Sequence, residues 1–244
     1  MSGPRRLVAL LLFSALVAAE VHAQRDEAKR AEEAAYEAAH NDALRRAQVW
    51  LPPETPVERA NVRDNPDGPD FLAPDKTVSC RFRPGGVSGS TPKFDCELDN
   101  GDTVKVKYGV DNPELYTQVV ATRLLAALGF PSDRMYLVDR VRCYGCPADP
   151  FPGLQCVNEG NTIDACFPQL DPKKYTEFAA AVVERPLKGR RIETTRHRGW
   201  NWEELGKIDP AAGGAERAHV DALRLMAIFL NHWDNKDKNQ RLIC

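Results

Sequence analysis

Alternating apolar and polar positions mark three short strands in the middle of the chain. In "KTVSCRFRP" and "KFDCELD" apolar residues recur at every second position, and "GGVSGSTP" between them is a Gly/Ser loop. "NGD" at 100–102 is a tight turn into "TVKVKYG". There Val104, Val106 and Tyr108 share one face, and Lys105 and Lys107 the other. The period then changes. "DNPELYTQVVATRLLAALGF" predicts a helix capped by Asn112, with Pro113 in its first turn and Gly129 at its end. Val120, Leu124 and Leu128 form the stripe expected to be buried. "RMYLVDRVRC" predicts a strand. "FAAAVVERPLKG" predicts a strand and then a turn, with a helix up to Ala181 as the other reading. "WNWEELGKID" is a short helix or loop. "GGAERAHVDALRLMAIFLNHWD" predicts a helix that is apolar on most sides from Leu223 to Leu230 and belongs in a core. This order of elements is α+β.

The flanks differ in kind. Arg5 and Arg6 precede an apolar run from Leu7 to Ala19, and Val21-His22-Ala23 offers a small-residue cleavage site. That layout predicts a signal peptide over 1–23, cut after Ala23, and an exported protein, periplasmic or extracellular. A membrane anchor is the rival reading, but the run falls short of the ~20 residues a spanning helix needs. No later segment is long and apolar enough to span, so no stable membrane span is expected after cleavage. Residues 24–51 are rich in Ala, Glu and Arg and predict a solvated helix, a stalk or brace. Residues 52–76 are dense in Pro, Asp and Asn and read as linker. The domain proper is 77–244, with a Cys-rich insert at about 142–172.

Composition adds two constraints. The net charge of −2 gives no basic nucleic-acid footprint. Of seven cysteines, Cys80 and Cys96 flank the first hairpin and can bridge its strands, while Cys143, Cys146, Cys156 and Cys166 staple one loop. A zinc site is the rival reading of the CxxC spacing. Cys244 is left odd.

Candidate chemistry lies in "NHWDNKDKNQ", Asn231 to Gln240, behind the last apolar helix. Asp234 is followed five residues on by Asn239. A carboxylate at that distance from an amide can orient or deprotonate an attacking hydroxyl while the amide oxygen holds a metal ion. The plainer reading is a polar helix terminus and turn. Likewise Lys105 and Lys107 can be the wet face of an edge strand, Glu114 a first-turn acid favoured by the helix dipole, and Gly85, Gly86 and Gly89 an ordinary hairpin loop.

His232, Asp234, Lys236 and Asn239 make HxDxKxxN, which resembles the catalytic loop of the protein-kinase-like superfamily, including its HipA-type and phosphoinositide branches. Export and disulfides make the atypical secretory-pathway branch the nearest analogue. The resemblance covers roughly Thr77 to Cys244. It implies an antiparallel N-lobe sheet with one helix, then the start of a helical C-lobe. It implies an exported ATP-dependent phosphotransferase acting on a hydroxyl acceptor, protein or small molecule, with Mg2+ or Mn2+. Asp234 would be catalytic, His232 a structural brace, and Asn239 a metal ligand. Lys107 would pair with the α- and β-phosphates, with Lys105 as alternate and Glu114 as its carboxylate partner. The loop with Gly85, Gly86 and Gly89 would cover the phosphates, and Glu184 to Leu187 would meet adenine through backbone groups. Trp233 replaces the usual Arg. The second metal ligand, an Asp after Asn239, has no counterpart before Cys244, so the expectation is an incomplete copy of a longer kinase. A catalytically inactive pseudokinase and a disulfide-stapled exported binding module are the alternatives.

Overall fold

The computed structural model describes residues 4–53, 55–68, 71–109, 111–194, 197–232 and 236–244. The chain forms two compact units. One comprises Met1–Gln48, Gly189–Asp221 and His232–Cys244; the other comprises Val49–Lys188 and Ala222–Asn231.

In the first unit, helix α1 (Pro4–Arg45) is continuous through the expected cleavage point. Among the described residues no helix is long and apolar enough to cross a membrane. Near the C-terminal end of α1 Leu44 is buried, and so are Leu205, Ala215 and Val220 of the same unit. The last carbonyl of the helix, Arg45 O, accepts from Asp209 N–H, and just beyond it Ala47 O accepts from Ala215 N–H, both at 2.9 Å. The chain end lies beside 190–192. Arg190 and Cys244 exchange backbone hydrogen bonds at 2.9 Å, and Arg191 bridges Ile243.

The second unit is a barrel. Its strands are β1 (Thr77–Arg83), β2 (Lys93–Leu98), β3 (Thr103–Lys107), β4 (Arg134–Tyr144) and β5 (Tyr175–Arg185). They close in the order β1-β2-β3-β5-β4. Helix α2 (Pro113–Ala127) follows β3, and α3 (Pro150–Asn158) and α4 (Ile163–Cys166) follow β4. This corrects the expected fold. Helix and strand are both present, as α+β requires, but the sheet is not the open antiparallel sheet of a kinase N-lobe. β1 runs parallel to β4, from Thr77 opposite Arg140 to Arg81 opposite Tyr144, and that pairing closes the sheet.

A bend makes closure possible. On β4 and β5, Val138 and Ala181 face inward, and so do Val141 and Phe178. Spacings of three cannot both be inward on a regular strand, so the ribbon turns between them. Ala180 marks the turn with φ +49°, and Asp139 N–H leaves the ladder to donate to Pro74 O at 2.8 Å. The far half of β4 is thereby swung beside β1.

Period-two alternation sorts the strands' side chains. Val78, Cys80, Phe82, Phe94, Cys96, Val104, Val106, Tyr136, Val141 and Val183 fill the interior. Phe94 packs at the centre, its ring tilted against Phe178 at 4.9 Å and edge-on to Phe82 at 6.0 Å. The Cys-rich insert carries helix as well as loop. α3 is capped by Asp149 and opens on Pro150; α4 is capped by Thr162. Leu154 and Phe167 from these helices join the barrel core. Three disulfides form, Cys80–Cys96, Cys143–Cys146 and Cys156–Cys166, and Cys244 is a free, exposed thiol.

Two helix faces differ from expectation. α2 packs on the outside of the barrel through Leu115 and Val119, against Met135 and Val182, and Val120 is exposed. Its apolar residues make two adjacent stripes, and the one nearer its N-terminus meets the sheet. In α5 (Arg217–Phe229) the residues expected in a core, Leu225, Ile228 and Phe229, are 65%, 76% and 73% exposed.

Candidate functional site

The outer face of β2, β3 and β5 carries a charged cluster. Backbone register builds it. Lys93 lies directly opposite Lys107, Asp95 opposite Lys105, and Lys105 opposite Glu184. Because Phe94, Val104, Val106 and Val183 point inward, these five polar residues must point out. Two like charges facing each other across a ladder are destabilising unless something neutralises them.

Glu184 does part of that. Its Oε2 lies 2.6 Å from Lys107 Nζ and its Oε1 2.8 Å from Lys105 Nζ. Lys107 and Glu184 are among the few buried charged residues. Burial pushes the Glu184 carboxyl upward, but the Lys107 and Lys105 ammoniums outweigh it, and the group stays below the usual carboxylate range. Lys105 shows the reverse balance: burial pulls it down, and Glu184 more than restores it, so it lies above the ordinary lysine value.

Helix α2 supplies a second tether. Lys107 Nζ also donates to Gln118 Oε1, and Gln118 Nε2 donates to Glu114 Oε1. Thr91 Oγ1 donates to Glu114 Oε2 at 2.6 Å. Glu114 is placed by its cap: its own N–H donates to Asn112 Oδ1 at 3.0 Å. So Glu114 reaches Lys107 through Gln118, and Glu184 is the direct ion-pair partner. An ammonium has three N–H donors, and these contacts occupy two on Lys107.

Lys93 feels the Glu184 and Glu114 carboxylates without pairing directly to either. Among the described residues it has no ion-pair partner. Burial, then Lys107 and Lys105, hold its ammonium below the ordinary lysine value. It lines a groove of about 90 Å³ with Gly85, Gly86, Ser88, Asp95, Lys105 and Arg83. Gly89 adopts φ +78°, and a Cβ there would stand 3.3 Å from Lys93 Nζ. Gly86 is held close to α3, where a Cβ would lie 2.5 Å from Asn158 Oδ1; Gly85 faces open space. The lining sets the cations Arg83, Lys93 and Lys105 and the Ser88 hydroxyl beside the Asp95 carboxylate and the apolar Val87, Phe94 and Leu154. A whole nucleotide needs a pocket of ~300 Å³ or more, so a nucleoside would lie outside the groove.

The other expected site residues are placed as follows. Glu184 sits within the ladder, paired to Lys105 on one side and Met135 on the other, and offers its side chain to the lysines. Leu187 N–H donates to Asp133 Oδ1 at 2.9 Å. In the other unit, His232 is exposed, its ring 6.3 Å from that of Trp202. Asn239 ends a 3-10 turn, Asp237–Asn239, and its N–H donates to Lys236 O at 2.9 Å. Gly199 backs this turn so closely that a Cβ would lie 1.8 Å from Asp237 O. Asp234 lies outside the described residues.

Sequence reasoning missed Lys93, Gln118 and Thr91. A signal for Lys93 existed: the turn at Asn100-Gly101 sets the β2–β3 register, and that register puts Lys93 against Lys107. Compared with known proteins, the chain matches no family model, no curated protein and no solved structure.

Proposed function

We propose that this chain is an exported phosphotransferase that takes its phosphoryl group from ATP and passes it to a hydroxyl acceptor. One observation carries the reading: Lys93 and Lys107 are opposed on the ladder beside a glycine loop, with only Lys107 and Lys105 neutralised by Glu184. A phosphate is the anion that groove fits by size and by donor type.

In this reading Lys93, Lys105 and the 85–89 loop hold donor phosphate oxygens. Lys107, outside the groove's lining, is fixed by Gln118 and anchors the Glu184 carboxylate that also holds Lys105. Glu114 and Thr91 keep Gln118 in place. A fixed ammonium aimed at phosphate oxygens lowers the cost of developing charge without having to reorganise. Independently of that groove, the HxDxKxxN pattern in the other unit suggests Asp234 as the base for an acceptor hydroxyl and His232 as a brace of its loop. The Asn239 amide would hold Mg2+ or Mn2+, since these hard cations take oxygen donors. The sulfur cluster in the barrel is closed by disulfides and is the wrong donor type for either ion. Three disulfides support export.

The test is transfer of labelled γ-phosphate from ATP to a panel of protein and small-molecule hydroxyl acceptors. Transfer by the wild type that drops at least 100-fold in Asp234→Ala supports the reading. Transfer that survives unchanged in Asp234→Ala removes Asp234 from catalysis. No transfer to any acceptor, with ATP binding intact, turns the reading toward a nucleotide-binding protein without turnover.

A further inference from the structure

We propose that the Cys80–Cys96 and Cys143–Cys146 disulfides form one exchangeable four-sulfur unit, in which a dithiol acting at Cys146 moves the buried cross-link to Cys96–Cys143. The geometry comes from barrel closure. The parallel β1–β4 register sets Cys80 directly opposite Cys143, and the hairpin brings Cys96 alongside Cys80. Cys96 Sγ and Cys143 Sγ are 3.7 Å apart, although they belong to different disulfides. The sulfurs of Cys80, Cys96 and Cys143 all lie within 4.8 Å of one another.

Access is unequal. Cys80, Cys96 and Cys143 are buried in the core, while Cys146 is partly exposed at the CxxC turn. Within this four-sulfur unit an external thiolate therefore reaches Cys146 first. It attacks Cys146 Sγ, the Cys143–Cys146 bond breaks, and Cys143 leaves as a thiolate. The second thiol of the reductant resolves the mixed disulfide, leaving Cys146 as a thiol and the reductant as its own disulfide. The Cys143 thiolate then attacks Cys96 Sγ, forming Cys96–Cys143 and expelling Cys80 as a thiolate, which takes up a proton. Two electrons enter from the dithiol, and one protein disulfide remains where there were two. The second exchange is neutral in electrons and needs only sulfurs already in contact.

The outcome is a different covalent map. The hairpin link between β1 and β2 is exchanged for one across the barrel from β2 to β4. The Cys156–Cys166 bridge joins α3 to α4 and stands apart from this unit.

The test uses the whole oxidised protein and a limiting amount of dithiothreitol. The reaction is quenched with acid, thiols are alkylated, and peptides are mapped by mass spectrometry. The expected product carries alkylated Cys80 and Cys146 with a Cys96–Cys143 link. A product alkylated at Cys143 and Cys146 with Cys80–Cys96 intact overturns the proposal. Oxidised Cys146→Ser is a second, independent check. It should carry Cys96–Cys143 and a free Cys80; retention of Cys80–Cys96 with Cys143 free contradicts exchange.

Discussion

Lys107 Nζ stands 2.6 Å from Glu184 Oε2, and each side chain is only 9% exposed. Glu184 is shared, since Lys105 takes its other oxygen. The two ends of this contact are therefore not equivalent. Glu184→Gln leaves the Lys105 and Lys107 ammoniums side by side, with Lys93 opposite Lys107, and should cost about 3 kcal/mol or more. Lys107→Met leaves Glu184 still paired with Lys105 and should cost clearly less. Urea unfolding of both variants measures the difference. Equal losses would mean that Glu184 does not serve both lysines.

The same carboxylate sets an acid limit. Its folded-state pKa is depressed below the ordinary 4.5, once burial is outweighed by the lysines. A depressed carboxyl contributes stability that is fully present above its unfolded pKa and is lost as pH falls through the folded one. Stability should therefore decline on acidification below about pH 4.5. Glu184→Gln should lack that component and show a flatter acid limb in thermal melts taken as a function of pH.

Lys93 should report on anion binding. Its ammonium is held below the ordinary lysine value by burial and by Lys107 and Lys105. A bound phosphate restores the charged form, so binding at alkaline pH should take up protons. Calorimetry in buffers of different ionisation enthalpy measures that uptake. It should vanish in Lys93→Met.

Tyr136 is fully buried in the barrel, and among the described residues its hydroxyl has no hydrogen-bond partner. Tyr136→Phe removes an unsatisfied polar atom while keeping the ring, and should add about 1 kcal/mol. The melting temperature should rise by roughly 2–4 °C.

Gly199 has φ +67° and lies against the backbone of Asp237 and Gln240. Gly199→Ala adds a left-handed penalty of about 1–2 kcal/mol and a clash that the turn must open to relieve. Amide exchange over 236–240 should speed up by at least tenfold, with the barrel amides unchanged.

How far the sequence could carry this follows from the range of each signal. The strands, the Asn112 cap and the inward Val104 and Val106 against outward Lys105 and Lys107 are local patterns, and the structure has them. Closure was not legible. It depends on Thr77–Arg81 meeting Arg140–Tyr144 after a bend at Ala180, and no local pattern announces a positive φ at an alanine. On α2, apolar residues at both 115/119 and 120/124 left the buried face undetermined until the sheet chose it. Glu184 was read for its backbone because its strand neighbour was unknown. Once β3 pairs with β5, its carboxylate is the evident partner of two lysines. The capped helices of the Cys-rich insert were signalled by Asp149-Pro150 and Thr162, but the cysteines drew the reading toward loop.

Direct titration of ATP, with and without Mg2+, into the oxidised protein tests the central claim that the lysine cluster is a phosphate site. Binding to the wild type should weaken at least tenfold in Lys93→Ala and in Lys105→Ala, with inorganic triphosphate competing. An unchanged affinity in both variants, or no ATP binding by a folded wild type, would contradict it.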